Sequence, residues 1–264
     1  MVSFLLTIIS VNSFAQEEYP IFNEYRNYGF YATPILFKKA EISREYGNTI
    51  LGTRSNYAVQ FGIKKHFNKE KEWSIITGVN FTPLPFYKFS FELKNEDMPH
   101  NDYNESLFVS DSSIGSFYAS FISQAEHKIQ LSKNIYLNTN LGLNISYLFS
   151  GSVLYTVSIE DEDNNLDREV FALYAHTPNS ELQVSAIFGL GLYFPLKYFL
   201  LQTNIVYNKS FANVLEGEYQ FGNLLVSEPT RGDYKVSGDF IGLSATFYFK
   251  KRKKGKKKFI ERVR

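Results

Sequence analysis

The chain has no cysteine among its 264 residues. That excludes disulfides, cysteine-ligated zinc and thiol catalysis together, while leaving any redox compartment open. Long apolar runs are almost as scarce. One apolar run, Val2 to Val11 in "MVSFLLTIISVNSFAQ", stands out with Ser3, Thr7 and Ser10 inside it, and no other segment approaches the roughly 18 to 20 residues of a membrane helix. Histidine is sparse as well, with four in the whole chain.

The N-terminal run reads as a secretory signal, with Ser13-Phe14-Ala15 as a small-x-small cleavage site. It lacks a positive n-region, and a buried strand or short helix is the competing reading. No cysteine follows the cleavage site, so no lipid anchor is expected. The formal charge of +1 conceals an asymmetry. Lys250 to Arg264, "KKRKKGKKKFIERVR", holds 10 basic residues and one acid, leaving 18 basic and 26 acidic residues elsewhere, net −8. The chain is an acidic body with a basic tail.

What is abundant is aromatic residues, 25 Phe and 19 Tyr, and strict alternation. In "NIYLNTNLGLNISYLFSG" (Asn134 to Gly151), Leu137, Thr139, Leu141, Leu143, Ile145, Tyr147 and Phe149 share one parity. Asn138, Asn140, Gly142, Asn144 and Ser146 share the other. The same period of two runs through "SNYAVQFGIKKHF", "EWSIITGVNF", "SFYASFISQAEHKIQL", "LQVSAIFGLGLYF", "FLLQTNIVYN" and "DFIGLSATFYF". Each predicts a strand with one apolar face. "YGFYATPILF" (Tyr28 to Phe37) makes eight, although Pro34 removes a ladder donor and neither parity is cleanly apolar.

Alternation does not say which face is inside. A soluble sandwich or lipocalin turns the apolar face inward, and a membrane barrel turns it to lipid. Three features favour the barrel. The strands run about ten residues or more, enough to cross a bilayer when tilted. Their polar faces are mostly Asn, Gln, Ser, Thr and Gly, where a water-facing strand would show more Lys and Glu. The connections alternate without exception: "NKEKE", "SKN" and "PLKY" are short, and those between are several times longer. That is the rhythm of periplasmic turns and extracellular loops. Aromatics gather at both ends: Phe67, Trp73, Phe194, Phe199, Phe247 and Phe249 at the short turns, and Phe81, Phe117, Tyr147, Phe149 and Tyr207 toward the long loops.

The expected fold is therefore all-β, an eight-stranded antiparallel up-and-down transmembrane barrel in the outer membrane of a Gram-negative cell. Its expected organisation is a signal peptide over 1–15, an N-terminal segment over 16–27, the barrel over 28–249 and a basic tail over 250–264. Outward-facing, lipid-contacting positions are Leu141, Leu143, Ile145, Phe188, Leu190, Leu192 and Leu243. Lys64, Gln124, Glu126, Lys128, Asn140, Asn144, Gln202 and Asn204 point into the lumen as a polar network. Eight strands leave an interior just filled by side chains, so the network reads as a plug whose charges must be paired.

In signal, strand count, sorted loops and an aromatic last strand ("ATFYF"), Tyr28 to Phe249 resembles the small outer-membrane barrels of the OmpA/OmpX type and the PorT-like group. The resemblance is architectural and brings no functional residue with it. The basic tail departs from it. It implies outer-membrane lipid and lipopolysaccharide as surroundings, a monomer, and a role in the loops (surface binding, adhesion or assembly) or in membrane integrity. A surface or periplasmic protein partner is open, and neither nucleic acid nor cofactor is expected.

Competing chemistry is thin. A lipid-modifying enzyme would need a Ser, His and acid near the outer rim. "MPHNDYNESLFVSDSS" gathers His100, Asp102, Ser106 and Ser110, but in a loop. No catalytic residue is assigned. "EDEDNNLD" (Glu160 to Asp167) has calcium-like alternation, but Leu166 stands where a calcium loop wants Gly, and the distal Glu is missing. It reads as a hairpin tip between two strands, and no metal is assigned. Arg231-Gly232-Asp233 could dock adhesion receptors, although a tripeptide recurs by chance. The basic tail suits periplasmic acidic polymers or inner-leaflet headgroups, or is a solubilising end.

Overall fold

The computed structural model describes residues 18–97, 107–148, 152–161, 166–177 and 181–252. The expected signal peptide, most of the basic tail, the loop group His100, Asp102 and Ser106, and Phe149 lie outside them.

Fourteen strands follow in chain order: β1 (Tyr28–Phe37), β2 (Glu41–Tyr46), β3 (Gly52–Thr53), β4 (Tyr57–Phe67), β5 (Trp73–Leu93), β6 (Leu107–Ser132), β7 (Ile135–Leu148), β8 (Ser152–Asp161), β9 (Leu166–His176), β10 (Leu182–Pro195), β11 (Phe199–Ser210), β12 (Leu215–Phe221), β13 (Thr230–Val236) and β14 (Phe240–Phe249). Eight of them, in the order β5-β4-β1-β14-β11-β10-β7-β6, form an antiparallel sheet, and β6 pairs back onto β5 to close it. These are the eight segments that alternation selects. Closure leaves no edge in the wall, the only β arrangement that satisfies the backbone in hydrocarbon.

The long connections are themselves strands; the hairpin on either side of the acidic run was expected, and the sheet it joins was not. A second sheet runs β2-β13-β12-β9-β8. Each of its members continues, in chain order, a barrel strand of the row β1-β14-β11-β10-β7, so it stands over that part of the wall in the same sequence. β5 and β6, at 21 and 26 residues, rise beyond the barrel on the other side. The result is one tall cylinder whose lower half is closed and whose upper half consists of two facing sheets.

Side chains switch roles between the halves. In the lower half Val79, Phe81, Leu141, Leu143, Ile145, Leu190 and Leu243 are exposed, and Asn80, Asn138, Asn140, Asn144, Gln202 and Ser244 are buried. In the upper half the interior is apolar: Phe89, Phe91, Leu93, Val170, Phe171, Leu173, Tyr219, Phe221 and Tyr234 form one buried cluster. On β5 the change follows from a register shift. The pairing steps from Leu84↔Ser116 to Pro85↔Ile114 and then to Tyr87↔Ser113. One extra residue in a strand reverses every side chain beyond it. Phe81 therefore points out, whereas Phe89 and Phe91, of the same parity, point in. β1 makes the same transition without a bulge. Its inward row passes from Tyr31 and Thr33 to Ile35 and Phe37, so neither parity reads as cleanly apolar.

Three contacts tie the upper half together. Thr53 of β3 donates to the Ala40 carbonyl, just ahead of β2, at 2.9 Å. Asp97, just past β5, accepts from the Val226 and Ser227 amides at 3.2 and 2.6 Å and from the Ser227 hydroxyl at 2.7 Å. That pins the tip of β5 to the β12–β13 connection. Gly238, at φ +75°, admits the turn by which β13 enters β14.

Candidate functional site

The lumen is built in layers. Nearest the short turns lies an aromatic cap contributed by a segment that the sequence did not mark. Tyr19 and Tyr25 flank a short 3-10 turn (Pro20–Glu24) that carries Phe22, enters the barrel mouth and packs on Tyr136, Tyr193, Leu200 and Tyr248. Phe22 is fully buried, edge-on to Tyr136 and Tyr193 at 4.9 and 5.1 Å between ring centroids. The segment is clamped from three sides. The Lys69 ammonium donates to the Tyr25 and Arg26 carbonyls at 2.8 and 2.7 Å. The Tyr25 hydroxyl donates to the Leu196 carbonyl at 2.8 Å, and Lys250 pairs with Glu24 at 2.7 Å. Burial, with Lys251 nearby, pulls the Lys69 ammonium down to about 7. The only signal for this plug in the sequence was three aromatics at a spacing of three, Tyr19, Phe22 and Tyr25, ahead of the first strand.

Above the cap sits a charged layer. Glu126 is fully buried on β6. Its Oε2 accepts from Ser74 at 2.8 Å and from Lys128 at 3.2 Å, and lies 2.8 Å from His66 Nε2. Its Oε1 accepts from the Tyr193 hydroxyl at 2.7 Å and Gln202 at 3.0 Å. Five donors on one carboxylate offset the cost of taking it out of water. Lys64, one turn of the pleat higher, lies over the Tyr31 ring at 4.2 Å.

The third layer is amides and hydroxyls. Gln60 donates to Asn80 and Thr82 at 3.0 and 2.9 Å, Asn140 to Asn138 at 3.0 Å, Asn144 to Ser146 at 3.1 Å, and Ser185 to Asn208 at 2.8 Å. Two cavities of about 20 and 10 Å³ interrupt it, the first beside Asn144 and Ser185 and the second beside Lys64, Gln124, Asn140 and Asn204. Each has room for about one water molecule. The apolar cluster of the upper half closes the stack.

All eight residues expected to point inward are buried in these layers, and Glu126, Lys128 and Gln202 meet in one network. Leu141, Leu143, Ile145, Phe188, Leu190 and Leu243 stand exposed on the outer wall, and Leu192 is half-buried there.

His66, Ser74 and Glu126 do bring a histidine, a serine and an acid together on strands. Their geometry is not that of a nucleophilic triad. Such a triad needs serine on one ring nitrogen and the acid on the other, whereas Ser74 and Glu126 both meet His66 Nε2. All three are buried at the short-turn end under the aromatic cap. Arg231-Gly232-Asp233 lies extended within β13, between β12 and β2. Arg231 pairs with Glu218, and Asp233 accepts from Ser43 at 2.9 Å. A Cβ on Gly232 would lie 2.0 Å from the Ser43 carbonyl oxygen, so this glycine answers a close strand approach. Among the described residues no group of three or more His, Asp or Glu is placed to hold a metal ion. The acidic run is a strand-to-strand connection whose centre, 162–165, lies outside the described residues.

No family model and no curated protein sequence matches the chain. Among solved structures it is similar to the outer membrane protein OprG from Pseudomonas aeruginosa, at 8% identity and a TM-score of 0.41, over 86% of this chain and 98% of that one. It is also similar to Ail, the attachment invasion locus protein of Yersinia pestis, at 12% identity and 0.32, over 85% and 99%. A second structure of Ail, in complex with the heparin analogue sucrose octasulfate, gives 10% and 0.31, over 85% and 99%. No role, ligand or residue is transferred from them. The wall itself carries the conclusion: a closed eight-stranded barrel with an apolar exterior and a polar interior is an outer-membrane barrel, its short turns periplasmic and its long connections extracellular.

Proposed function

We propose that the protein is a sealed outer-membrane barrel that presents its upper half as a surface-binding module. The observation that carries this reading is the apolar core of that half. Extracellular loops needed only to join barrel strands have no reason to assemble a second sheet and bury Phe89, Phe91, Phe171, Leu173, Phe221 and Tyr234 together. A folded module held clear of the membrane suits attachment or assembly at the cell surface, with outer-membrane lipid and lipopolysaccharide around the wall beneath it. The cap, the charged layer and the amide layer support the companion reading that the barrel does not conduct.

Two measurements test this. Reconstituted protein in planar bilayers should show no stable porin-sized conductance, and reproducible large channels would defeat the sealed lumen. Cells displaying the chain should bind a protein-coated surface, and cells displaying a form shortened across β8, β9, β12 and β13 should not. Equal binding by both would remove the surface-binding role.

A further inference from the structure

The charged and amide layers of the lumen do not balance in charge. Two ammonium groups, Lys64 and Lys128, are buried there with one carboxylate, Glu126. Glu126 already accepts from Lys128, Ser74, Tyr193 and Gln202. His66, beside it, can add positive charge but no negative charge. Lys64 has no carboxylate within 4 Å among the described residues, and what it meets is the face of the Tyr31 ring at 4.2 Å. A buried ammonium without a counter-charge is costly in a low-dielectric interior.

Lys64 lines the second of the two small lumen cavities, and three further donors line it with Lys64: the side-chain amides of Gln124 and Asn204 and the Ser244 hydroxyl. None of these groups has a hydrogen-bond partner among the described residues. The Asn204 amide oxygen is turned toward β10, where a Cβ on Gly191 would lie 2.0 Å from it, which leaves the amide nitrogen for the cavity. Ile187 and Val206 complete the wall and keep bulk water out. A single water fits the space and would suit the unpartnered Asn140 oxygen on the same wall, but it brings no charge to Lys64.

We infer that this cavity is a binding site for one small monovalent anion, a halide of the size of chloride. The Lys64 ammonium supplies the charge, and Gln124, Asn204 and Ser244 donate to the ion. These four residues stand on β4, β6, β11 and β14, so the ion joins strands from across the barrel and completes the plug. The site is independent of the surface-binding reading.

The test refolds the full chain into detergent micelles in sodium gluconate, whose anion is too large for the cavity. Urea unfolding is then followed as chloride replaces gluconate at constant ionic strength, which holds screening fixed. Loss of one bound halide on unfolding should lower the unfolding constant about tenfold for each tenfold rise in chloride once the site is saturated. Bromide should do the same. Lys64→Met, which removes the charge, should unfold independently of chloride. So should Asn204→Asp, which builds a carboxylate into the site. Crystals grown in bromide should show an anomalous scatterer between Lys64, Gln124 and Asn204. A native chain indifferent to chloride, an equal chloride response in Asn204→Asp, or a water where bromide is expected would each overturn the inference. Should Lys64→Met fail to fold, Asn204→Asp and the bromide crystals still decide it.

Discussion

The two halves of the cylinder solve opposite problems with one chain of strands. Below, the solvent is lipid, so Leu141, Leu143, Ile145 and Leu190 face out and Asn138, Asn140, Asn144 and Gln202 face in. Above, the solvent is water, so Phe89, Phe91, Phe171 and Phe221 face in, and Glu218, Arg231 and Asp233 stand on the outer face in cross-strand pairs. Stability has different sources in the two. In the lower half apolar burial comes from the membrane and the interior is held by hydrogen bonds among buried polar side chains. In the upper half the hydrophobic effect acts as in any soluble domain.

Breaking the halves separately should therefore have separate consequences. The largest expected effect is Glu126→Ala, which leaves Lys128 buried without its carboxylate and should cost about 3 to 5 kcal/mol. Urea unfolding in detergent micelles would show it as a lowered midpoint of the whole barrel. Phe171→Ala removes a ring packed on Phe91 and Phe221 at 4.6 and 4.8 Å between centroids and should also cost about 3 to 5 kcal/mol. Its loss should fall on the upper half alone. Protease added to intact cells should then clip β8 to β13 faster, while the membrane-embedded core keeps its resistance.

Smaller effects sharpen the same contrast. Arg at Leu143 or Leu190 should cost roughly 2 to 4 kcal/mol in bilayers, whereas Asn140→Ser should be nearly neutral. Arg at Gln220, exposed on the outer face of the upper sheet, should change stability by no more than about 0.5 kcal/mol. pH should act on the periplasmic cap. Lys69 sits at about 7 in the fold against an ordinary 10.5, so the unfolded chain binds more protons between those values. The stability of the cap should accordingly rise as pH climbs from 7 toward 10. Unfolding midpoints followed across that range should show the rise in the native chain and lose it in Lys69→Met.

The barrel was legible because each strand keeps one solvent on each face for ten residues, and period two survives in the sequence. The upper half was not, for physical reasons. β5 and β6 carry the register shift near Pro83, Pro85 and Gly115, so their alternation breaks where the solvent changes. β8 and β9 are as long as the barrel strands and β12 and β13 are shorter, but all four bury their apolar rows against each other rather than against lipid, and the acidic tip marked only the β8–β9 hairpin. The inward residues Lys64, Glu126 and Lys128 could be assigned from parity. Their meeting with His66, Ser74, Tyr193 and Gln202 could not, because it depends on cross-barrel distance. The plug of Tyr19, Phe22 and Tyr25 has no period at all.

The central claim is that one wall turns inside out at the bulge of β5 and β6. The chain has no cysteine, so single cysteines can be placed along β5 and labelled with an environment-sensitive fluorophore in bilayers containing either a lipid-bound or a water-soluble quencher. The account predicts lipid quenching at Ile75, Val79 and Phe81, protection from both quenchers at Ile76, Asn80, Phe89 and Phe91, and aqueous quenching at Glu92. Lipid quenching that continued through Phe89 and Phe91 would show an uninterrupted apolar exterior and contradict it.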